Sequence, residues 1–171
     1  RGGMGIVYHV RHTLLEEDYA LKLIHPEHGS NEEFKARFLS EGKTLNKLRH
    51  PHIVEFKDIG DLDGKLYLVT ELLVGEDLDQ LLKRDPNPQD PAFVLAFLRA
   101  CSDALGFGHE KGIIHRDIKP GNIFLHVIEG LPQPVVKILD FGLAKGQDQG
   151  VSLTGSGQAV GTPAYIAPEV L

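Results

Sequence analysis

The hydrophobic pattern of the chain alternates between short strand-like runs and longer helical stripes. Residues 31–48 predict a helix in which Asn31 is the N-cap and Glu32 and Glu33 lie in the first turn. The apolar positions of this helix share one face: Phe34, Phe38, Leu45 and Leu48. Alternation or short apolar runs predict strands over residues 6–10, 18–24, 53–59, 66–70, 123–128 and 135–139.

Two further helices are predicted in the second half of the chain. Residues 77–83 form a short helix that ends before the breaker run 85–88, and residues 90–111 form a longer one. In the longer helix Asp90 is the cap and Pro91 the first residue. Its apolar positions predict one buried side: Phe93, Val94, Phe97, Leu98, Cys101, Ala104 and Leu105. Gly106 and Gly108 weaken its last turns for no reason visible in the sequence.

Composition excludes several classes of protein. A net charge of −6 argues against a general nucleic-acid binder, which would need a basic face. Cys101 is the only cysteine, so no disulfide framework or cysteine-rich metal site is expected, and a buried structural thiol is the favoured interpretation. His50 and His52 flank a proline without other ligands nearby, a weak pattern for zinc. We expect no membrane segment within the chain, no signal peptide, and a cytoplasmic location, with a membrane anchor of the full-length protein beyond this chain left open.

One polar stretch, His115 to Asn122, lies between the apolar segments Ile113-Ile114 and Ile123-Phe124-Leu125. A carboxylate such as Asp117 can accept a proton from a substrate when a rigid scaffold holds its loop. An amide five residues later can reach a metal ion bound nearby. For Asp117 taken alone, a charged turn is the simpler interpretation.

The whole stretch resembles the catalytic loop of protein kinases, H-R-D-x-K-x-x-N. Further segments resemble other motifs of that family in the expected order. These are the glycine-rich loop at 1–7, the V-A-I-K motif at 19–22, the R-H-P-N-I-V entry at 49–54, D-F-G at 140–142 and A-P-E at 167–169. Each has a simpler reading alone, such as a hairpin turn or a lysine on a wet face, but their order is specific.

The resemblance implies roles for the catalytic residues. Asp117 would orient the substrate hydroxyl and accept its proton, and Lys119 would neutralise charge on the transferring group. Lys22 would hold the α- and β-phosphates of ATP and pair with Glu41, which otherwise reads as a boundary residue of its helix. Mg²⁺ would be held by Asn122 and Asp140.

The resemblance also implies an ATP site. Thr70 would be the gatekeeper behind the adenine, the backbones of Glu71 and Leu73 would bind the purine edge, and Asp77 would reach the ribose. The full set of cofactor-binding residues would be Gly2, Gly5, Val7, Ala20, Lys22, Thr70, Glu71, Leu73, Asp77, Asn122, Phe124 and Asp140.

The implied fold is the α+β, two-lobe kinase fold, truncated at both ends. Residues 1–70 would form the small lobe without its first strand, 71–77 the hinge, and 78–171 the start of the large lobe through A-P-E. Because the later helices of the family's large lobe would be missing, we expect this chain alone to be poorly folded and inactive. Lys119 and the pair Gly161-Thr162 resemble the serine/threonine branch, and Pro120-Gly121-Asn122 its bacterial members.

The implied function is transfer of the γ-phosphoryl group of ATP to a Ser or Thr of a protein substrate. Arg116 suggests control by phosphorylation of the loop after Asp140. Autophosphorylation is expected at Thr154, then Ser156 and Ser152. The alternative is a nucleotide-binding or scaffolding pseudokinase without transfer activity. A P-loop or Rossmann enzyme is disfavoured because neither G-x-x-x-x-G-K-[ST] nor an intact G-x-G-x-x-G occurs.

Overall fold

The computed structural model describes residues 5–25, 32–87, 89–141 and Tyr165. Within that part, the chain forms strands, α-helices and one short 3-10 turn. In chain order they are β1 Gly5–Arg11, β2 Asp18–Ile24, α1 Glu32–Leu45, β3 Phe56–Leu62, β4 Lys65–Glu71, β5 Gly75–Asp77, α2 Leu78–Arg84, α3 Pro91–Glu110, the 3-10 turn Pro120–Asn122, β6 Ile123–His126 and β7 Val135–Ile138.

The first four strands form one antiparallel sheet in the order β1-β2-β4-β3. Strand β2 has the bounds that its alternating sequence predicts. A two-residue turn joins β3 to β4, with φ of 53° at Asp63 and 78° at Gly64. Two successive positive φ angles are the requirement of a type I′ hairpin, which Asp-Gly meets at little cost.

The last three strands form a second antiparallel sheet in the order β5-β6-β7. The strand predicted from Ile53 is wrong at its start, since β3 begins at Phe56. Ile53 instead makes a single parallel bridge to Ile138 of β7. Ile53 is therefore buried by contact with the second sheet rather than by membership of the first, and the Val54 N–H also donates to the Ile138 carbonyl. Strand β5 was not predicted, because three residues beginning with a glycine carry no periodic signal.

Helix α1 buries Phe38 and Leu45 on the predicted face, but it ends at Leu45, so Leu48 is buried after the helix rather than within it. Asn31, the predicted cap, lies outside the described residues. Phe38 is 2% exposed and packs into a core that also receives side chains from both sheets and from α3. That core consists of Ile24, Phe38, Leu45, Leu48, Ile53, Leu66, Leu68, Ala104, Ile138 and Phe141. A smaller core under α2 consists of Leu81, Ala100, Ile123, Leu125 and Val136.

Helix α3 begins as predicted. The Asp90 carboxylate accepts the Ala92 N–H at 3.0 Å, and Pro91 is the first helical residue. Its buried positions are the small residues Ala100, Ala104 and Gly108, which let it approach its neighbours closely. Leu98, predicted to be buried, is 54% exposed. Val94 is also exposed, so the apolar stripe is wider than the surface that the described residues cover.

The same helix has the length and composition of a membrane span, with a mean hydropathy of 1.2, which the expectation of no such segment did not foresee. In the structure, 17% of the apolar window is buried. Core helices, which are mostly buried, pass the same test, so one such helix is weak evidence for a membrane span. Helix α3 contacts both core clusters through Ala100 and Ala104.

Candidate active site

The loop from His115 to Asn122 leaves α3 and enters β6 through the 3-10 turn. Asp117 Oδ2 accepts hydrogen bonds from Lys119 Nζ at 2.8 Å and from Asn122 Nδ2 at 3.0 Å. Asn122 Nδ2 also donates to the backbone carbonyl of Asp117 at 2.8 Å. These bonds fix both the carboxylate and the backbone that carries it. The structure thus brings together three of the predicted site residues, Asp117, Lys119 and Asn122.

His115 joins this loop to the segment that ends in Asp140. It is 2% exposed, and its Nε2–H donates to the carbonyl of Leu139 at 2.7 Å. Its Nδ1 accepts the Asp117 N–H at 3.3 Å, so one neutral tautomer satisfies both nitrogens. Burial lowers the pKa of His115 below its ordinary value, which keeps the ring neutral. The ring also packs edge-on against Phe141, with centroids 4.7 Å apart.

The backbone completes the connection. Leu139 N–H donates to the carbonyl of Asn122 at 2.9 Å. The next residue, Asp140, has a φ of 52°. A non-glycine residue at positive φ is uncommon and is often found at functional sites. Asp117 and Asp140 are therefore held by one continuous set of hydrogen bonds.

Lys22 has a different partner from the one expected. Its Nζ lies 2.7 Å from Asp140 Oδ2. Among the residues that the structure describes, Lys22 and Glu41 form no ion pair. The local sequence of α1 places Glu41 beside an apolar face but does not set the distance of that helix from β2. Burial raises the pKa of Glu41, and the charges of Arg37 and Arg116 act in the opposite direction.

The predicted nucleotide-binding residues of the first sheet share one face. Strand register places Val7 opposite Lys22, and Ala20 opposite Thr70. Directly opposed residues and residues two apart point to the same side of a sheet. Thr70 also lines a cavity of about 30 Å³ together with Asp140. The strands thus place these predicted contacts on the side that faces Asp140.

Gly5 is required by the strand pairing itself. A Cβ at this position would lie 2.2 Å from the carbonyl oxygen of Leu23 in β2. The glycine therefore has a packing role in addition to the phosphate contact expected from the motif. Gly2, the other predicted glycine, lies outside the described residues.

The remaining predicted contacts with the adenine and ribose lie on β4, β5 and β6, apart from Leu73, which lies between β4 and β5. The Asp77 carboxylate accepts the Gln80 N–H at 2.8 Å as the cap of α2, so its predicted ribose contact competes with a structural role. Phe124 is paired with Asp77 across β5 and β6. Glu71 ends β4, and the predicted purine contacts of its backbone and that of Leu73 stay predictions.

The side-chain oxygens of Asn122 and Asp140 suit Mg²⁺, which prefers oxygen ligands. Proteins often supply only one or two of these ligands, and the phosphates of the substrate supply others. Asn122 uses Nδ2 for its hydrogen bonds to Asp117, which leaves Oδ1 to coordinate. Asp140 uses Oδ2 for Lys22. Among the described residues, no group of three or more His, Cys, Asp or Glu side chains is placed so that it could hold a metal ion.

Sequence reasoning missed two features next to this site. Gly108, unexplained before, gives room to the ring of Phe141, since a Cβ there would lie 2.8 Å from Phe141 Cε1. Lys137 Nζ donates to Glu71 Oε1 at 2.6 Å from a buried position in β7. A lysine within the apolar run of residues 135–139 was the available signal, because a buried cation needs a partner.

Several predicted residues lie outside the described part of the chain. They are the phosphorylation candidates Thr154, Ser156 and Ser152, and the A-P-E residues Ala167, Pro168 and Glu169.

Comparison with known proteins agrees with the resemblance. The family model for the protein kinase domain matches residues 1–171. The chain is 37% identical over 171 residues to the serine/threonine-protein kinase PknF of Mycobacterium tuberculosis, covering 99% of this chain and 36% of that protein. It is 39% identical over 170 residues to PknD of the same organism, covering 99% of this chain and 24% of that protein. The chain thus spans at most about a third of the length of these curated relatives.

A solved structure supports the fold. The crystal structure of the Mycobacterium tuberculosis PknI kinase domain matches with a TM-score of 0.74 and 31% identity, covering 94% of this chain and 64% of that domain. The predicted α+β kinase fold is confirmed. Protein kinases generally use ATP and Mg²⁺. The chain belongs to the protein kinase family, in its bacterial serine/threonine branch.

Proposed function

We propose that the protein carrying this chain transfers the γ-phosphoryl group of ATP to a Ser or Thr hydroxyl of a protein substrate. The observation that carries the proposal is the arrangement of Asp117, whose carboxylate is oriented by both Lys119 and Asn122. A carboxylate held by two donors on a fixed loop is suited to receive a proton from one defined direction. The continuous hydrogen bonding from this loop to Asp140 adds support.

In the proposed reaction the substrate hydroxyl oxygen forms a bond to the γ-phosphorus, and the bond from that phosphorus to the leaving ADP oxygen breaks. The hydroxyl proton passes to the Asp117 carboxylate. Lys119, 2.8 Å from Asp117 Oδ2, provides positive charge where negative charge spreads over the transferring group. Positioning and charge stabilisation carry most of such catalysis.

Lys22, Asn122 and Asp140 would serve the nucleotide and its metal. A bound Mg²⁺ would supply the positive charge that offsets the charge of the phosphates. Asn122 Oδ1 and the Asp140 carboxylate would hold it, and Lys22 on the sheet face with Val7 and Ala20 would reach the phosphates. In this structure Lys22 pairs with Asp140. When ATP binds, Lys22 must therefore either contact the phosphates while it keeps this ion pair or break the pair to reach them.

Two finer proposals follow from the family. Phosphorylation of the protein itself is proposed at Thr154, with Ser156 and Ser152 next. Arg116, which follows the buried His115 with a φ of 63°, is proposed to help order the phosphorylated loop. The protein substrate is otherwise proposed only as a class, a Ser or Thr side chain in a protein.

The test is Asp117→Asn in the full-length protein. We expect transfer to fall at least about 100-fold, the usual contribution of a positioned general base, while ATP still binds through Lys22 and Asp140. Asp63→Asn is the matched control, since Asp63 is exposed in the β3–β4 turn and asparagine tolerates its φ of 53°. Transfer rates with Mg²⁺ and labelled ATP, and binding of a fluorescent ATP analogue, are measured for both variants.

A rate for Asp117→Asn above about a tenth of the wild-type rate would contradict the assignment of the base. A wild-type protein that binds ATP but transfers nothing would favour the pseudokinase alternative instead.

A further inference from the structure

Lys137 is the buried lysine of the described part of the chain. It lies in β7 with 9% of its surface exposed, between Val136 and Ile138, which both belong to apolar cores. Its ammonium donates to Glu71 Oε1 at 2.6 Å, with 11% and 22% of the two side chains exposed. An ion pair with so little water around it is much less screened than a surface pair.

Glu71 ends β4, directly after Thr70. Its Oε1 also accepts the N–H of Glu55 at 2.8 Å, and its own N–H donates to the Glu55 carbonyl at 2.9 Å. Both the side chain and the backbone of Glu71 are thus fixed to the segment that enters β3. Lys137 supplies the charge that keeps this carboxylate in place.

The strand that carries Lys137 is also hydrogen-bonded to residues 52–54, which lead into β3 of the first sheet. Ile138 N–H donates to the His52 carbonyl at 2.8 Å, and Val54 N–H donates to the Ile138 carbonyl at 3.0 Å. His52 Nδ1 contacts the Val136 carbonyl at 3.0 Å. Three residues after Lys137 comes Asp140, which binds Lys22. The Lys137–Glu71 pair therefore lies where the end of β4, the segment 52–55 and the Asp140 strand meet.

We propose that Lys137 and Glu71 are positioning residues for the nucleotide. The pair fixes the position of the Glu71 backbone relative to β7, the strand that leads to Asp140. The groups proposed to bind the adenine and those proposed to bind the phosphates are thereby held at a fixed distance from each other. The inference rests on the proposed function, because it assumes that ATP binds at this face. Neither side chain needs to touch ATP for this role.

Removing the ammonium leaves the Glu71 carboxylate largely buried with a single N–H donor, and it turns toward water and releases Glu55. Lys137→Met keeps most of the apolar stem and removes the ammonium, with both its charge and its hydrogen bond to Glu71. We expect it to raise both KM and Kd for ATP about tenfold, the change that corresponds to one charge-assisted hydrogen bond. We expect kcat to change less than about threefold, since the groups around Asp117 are untouched.

Glu71→Gln is the second variant, because it keeps the shape and the acceptor for Glu55 N–H while losing the charge. Combining it with Lys137→Met should weaken ATP binding no further than Lys137→Met alone, as expected of two residues that act as a unit. Lys137→Arg keeps the cation and should recover most of the affinity. Lys35→Met is the matched control, since Lys35 pairs with Asp61 between α1 and β3, away from Glu71.

The experiment measures steady-state kinetics, binding of a fluorescent ATP analogue and thermal melting in the full-length protein. A lower melting temperature with unchanged KM and Kd for ATP in Lys137→Met and Glu71→Gln would overturn the inference, as would an equal loss of affinity in Lys35→Met. If the Lys137 variant does not fold, Glu71→Gln alone decides. Loss of transfer in the wild type with ATP binding retained would refute the proposed function but leave the binding test of this pair intact.

Discussion

Gly106 and Gly108 provide a matched test of how α3 packs against the active site. Both lie within the last turns of the helix, two residues apart. A Cβ at Gly108 would lie 2.8 Å from Phe141 Cε1 and 3.2 Å from the carbonyl oxygen of Ile113, whereas a Cβ at Gly106 would have no neighbour within 4 Å. The same substitution, glycine to alanine, therefore meets opposite surroundings on one helix.

The two effects can be compared in magnitude. Alanine in place of glycine stabilises a helix interior by about 1 kcal/mol. At position 106 nothing opposes that gain, so we expect Gly106→Ala to be stabilising by about that amount. At position 108 an inserted methyl overpacks the core, which costs about 1–3 kcal/mol. Phe141 cannot easily move away, since it is 3% exposed and the His115 ring lies against it.

We therefore expect Gly108→Ala to be neutral or destabilising by up to about 2 kcal/mol, and the two variants to differ by about 1–3 kcal/mol. Urea unfolding of both variants beside the wild type measures the difference. Because Phe141 follows Asp140, Gly108→Ala should also lower phosphoryl transfer more than Gly106→Ala does. Equal stabilisation by both substitutions would refute the packing argument.

Three further predictions concern His115, Glu41 and phosphorylation of residues 151–158. Burial lowers the pKa of His115 in the folded state, so below about pH 6.5 the unfolded chain binds more protons than the folded one. The free energy of unfolding should therefore fall as the pH falls, by at most about 1.4 kcal/mol per pH unit. Urea unfolding from pH 7.5 to 5.5 should show a shallower dependence of this free energy on pH in His115→Gln, and an unchanged dependence would contradict the argument. Glu41→Gln should raise the melting temperature at neutral pH, because burial raises the pKa of this carboxyl and so disfavours its charged form. The same variant should lower phosphoryl transfer if Glu41 must pair with Lys22 during catalysis. Unchanged kinetics would show that Glu41 has no part in catalysis. Peptide mass spectrometry of the active protein should find phosphate at Thr154, and phosphate found only outside residues 151–158 would count against that site.

Features set by neighbouring residues in the chain could be predicted from the sequence. The cap of α3 is an example, because Asp90 needs only the N–H of Ala92 two residues away. Strand β2 is another, since its alternation is local. The loop around Asp117 was identified because its sequence resembles the kinase catalytic loop. Its bonds from Asn122 to Asp117 span five residues, but the bond from His115 to Leu139 spans 24 and could not be foreseen.

Features that depend on how elements meet in space were missed. The partner of Lys22 is 118 residues away, and no local pattern could choose between Asp140 and Glu41. Lys137 and Glu71 are separated by 66 residues, although the odd lysine in an apolar strand was a usable hint. The glycine at 108 looked like a weakness of α3 until the ring of Phe141 was seen beside it.

Leu139 shows why these separate contacts act together. Its carbonyl accepts the His115 ring N–H and its own N–H donates to Asn122, so both ends of the Asp117 loop are fixed to one residue. Asp140 follows immediately and holds Lys22. A displacement of β7 would therefore move the proposed base and the proposed metal ligand as a unit, while Lys22 belongs to the other sheet. The relative position of the two sheets therefore sets the distance between Lys22 and Asp140. Any anionic group that approaches Lys22 from β1 or α1 competes with Asp140 for the same ammonium.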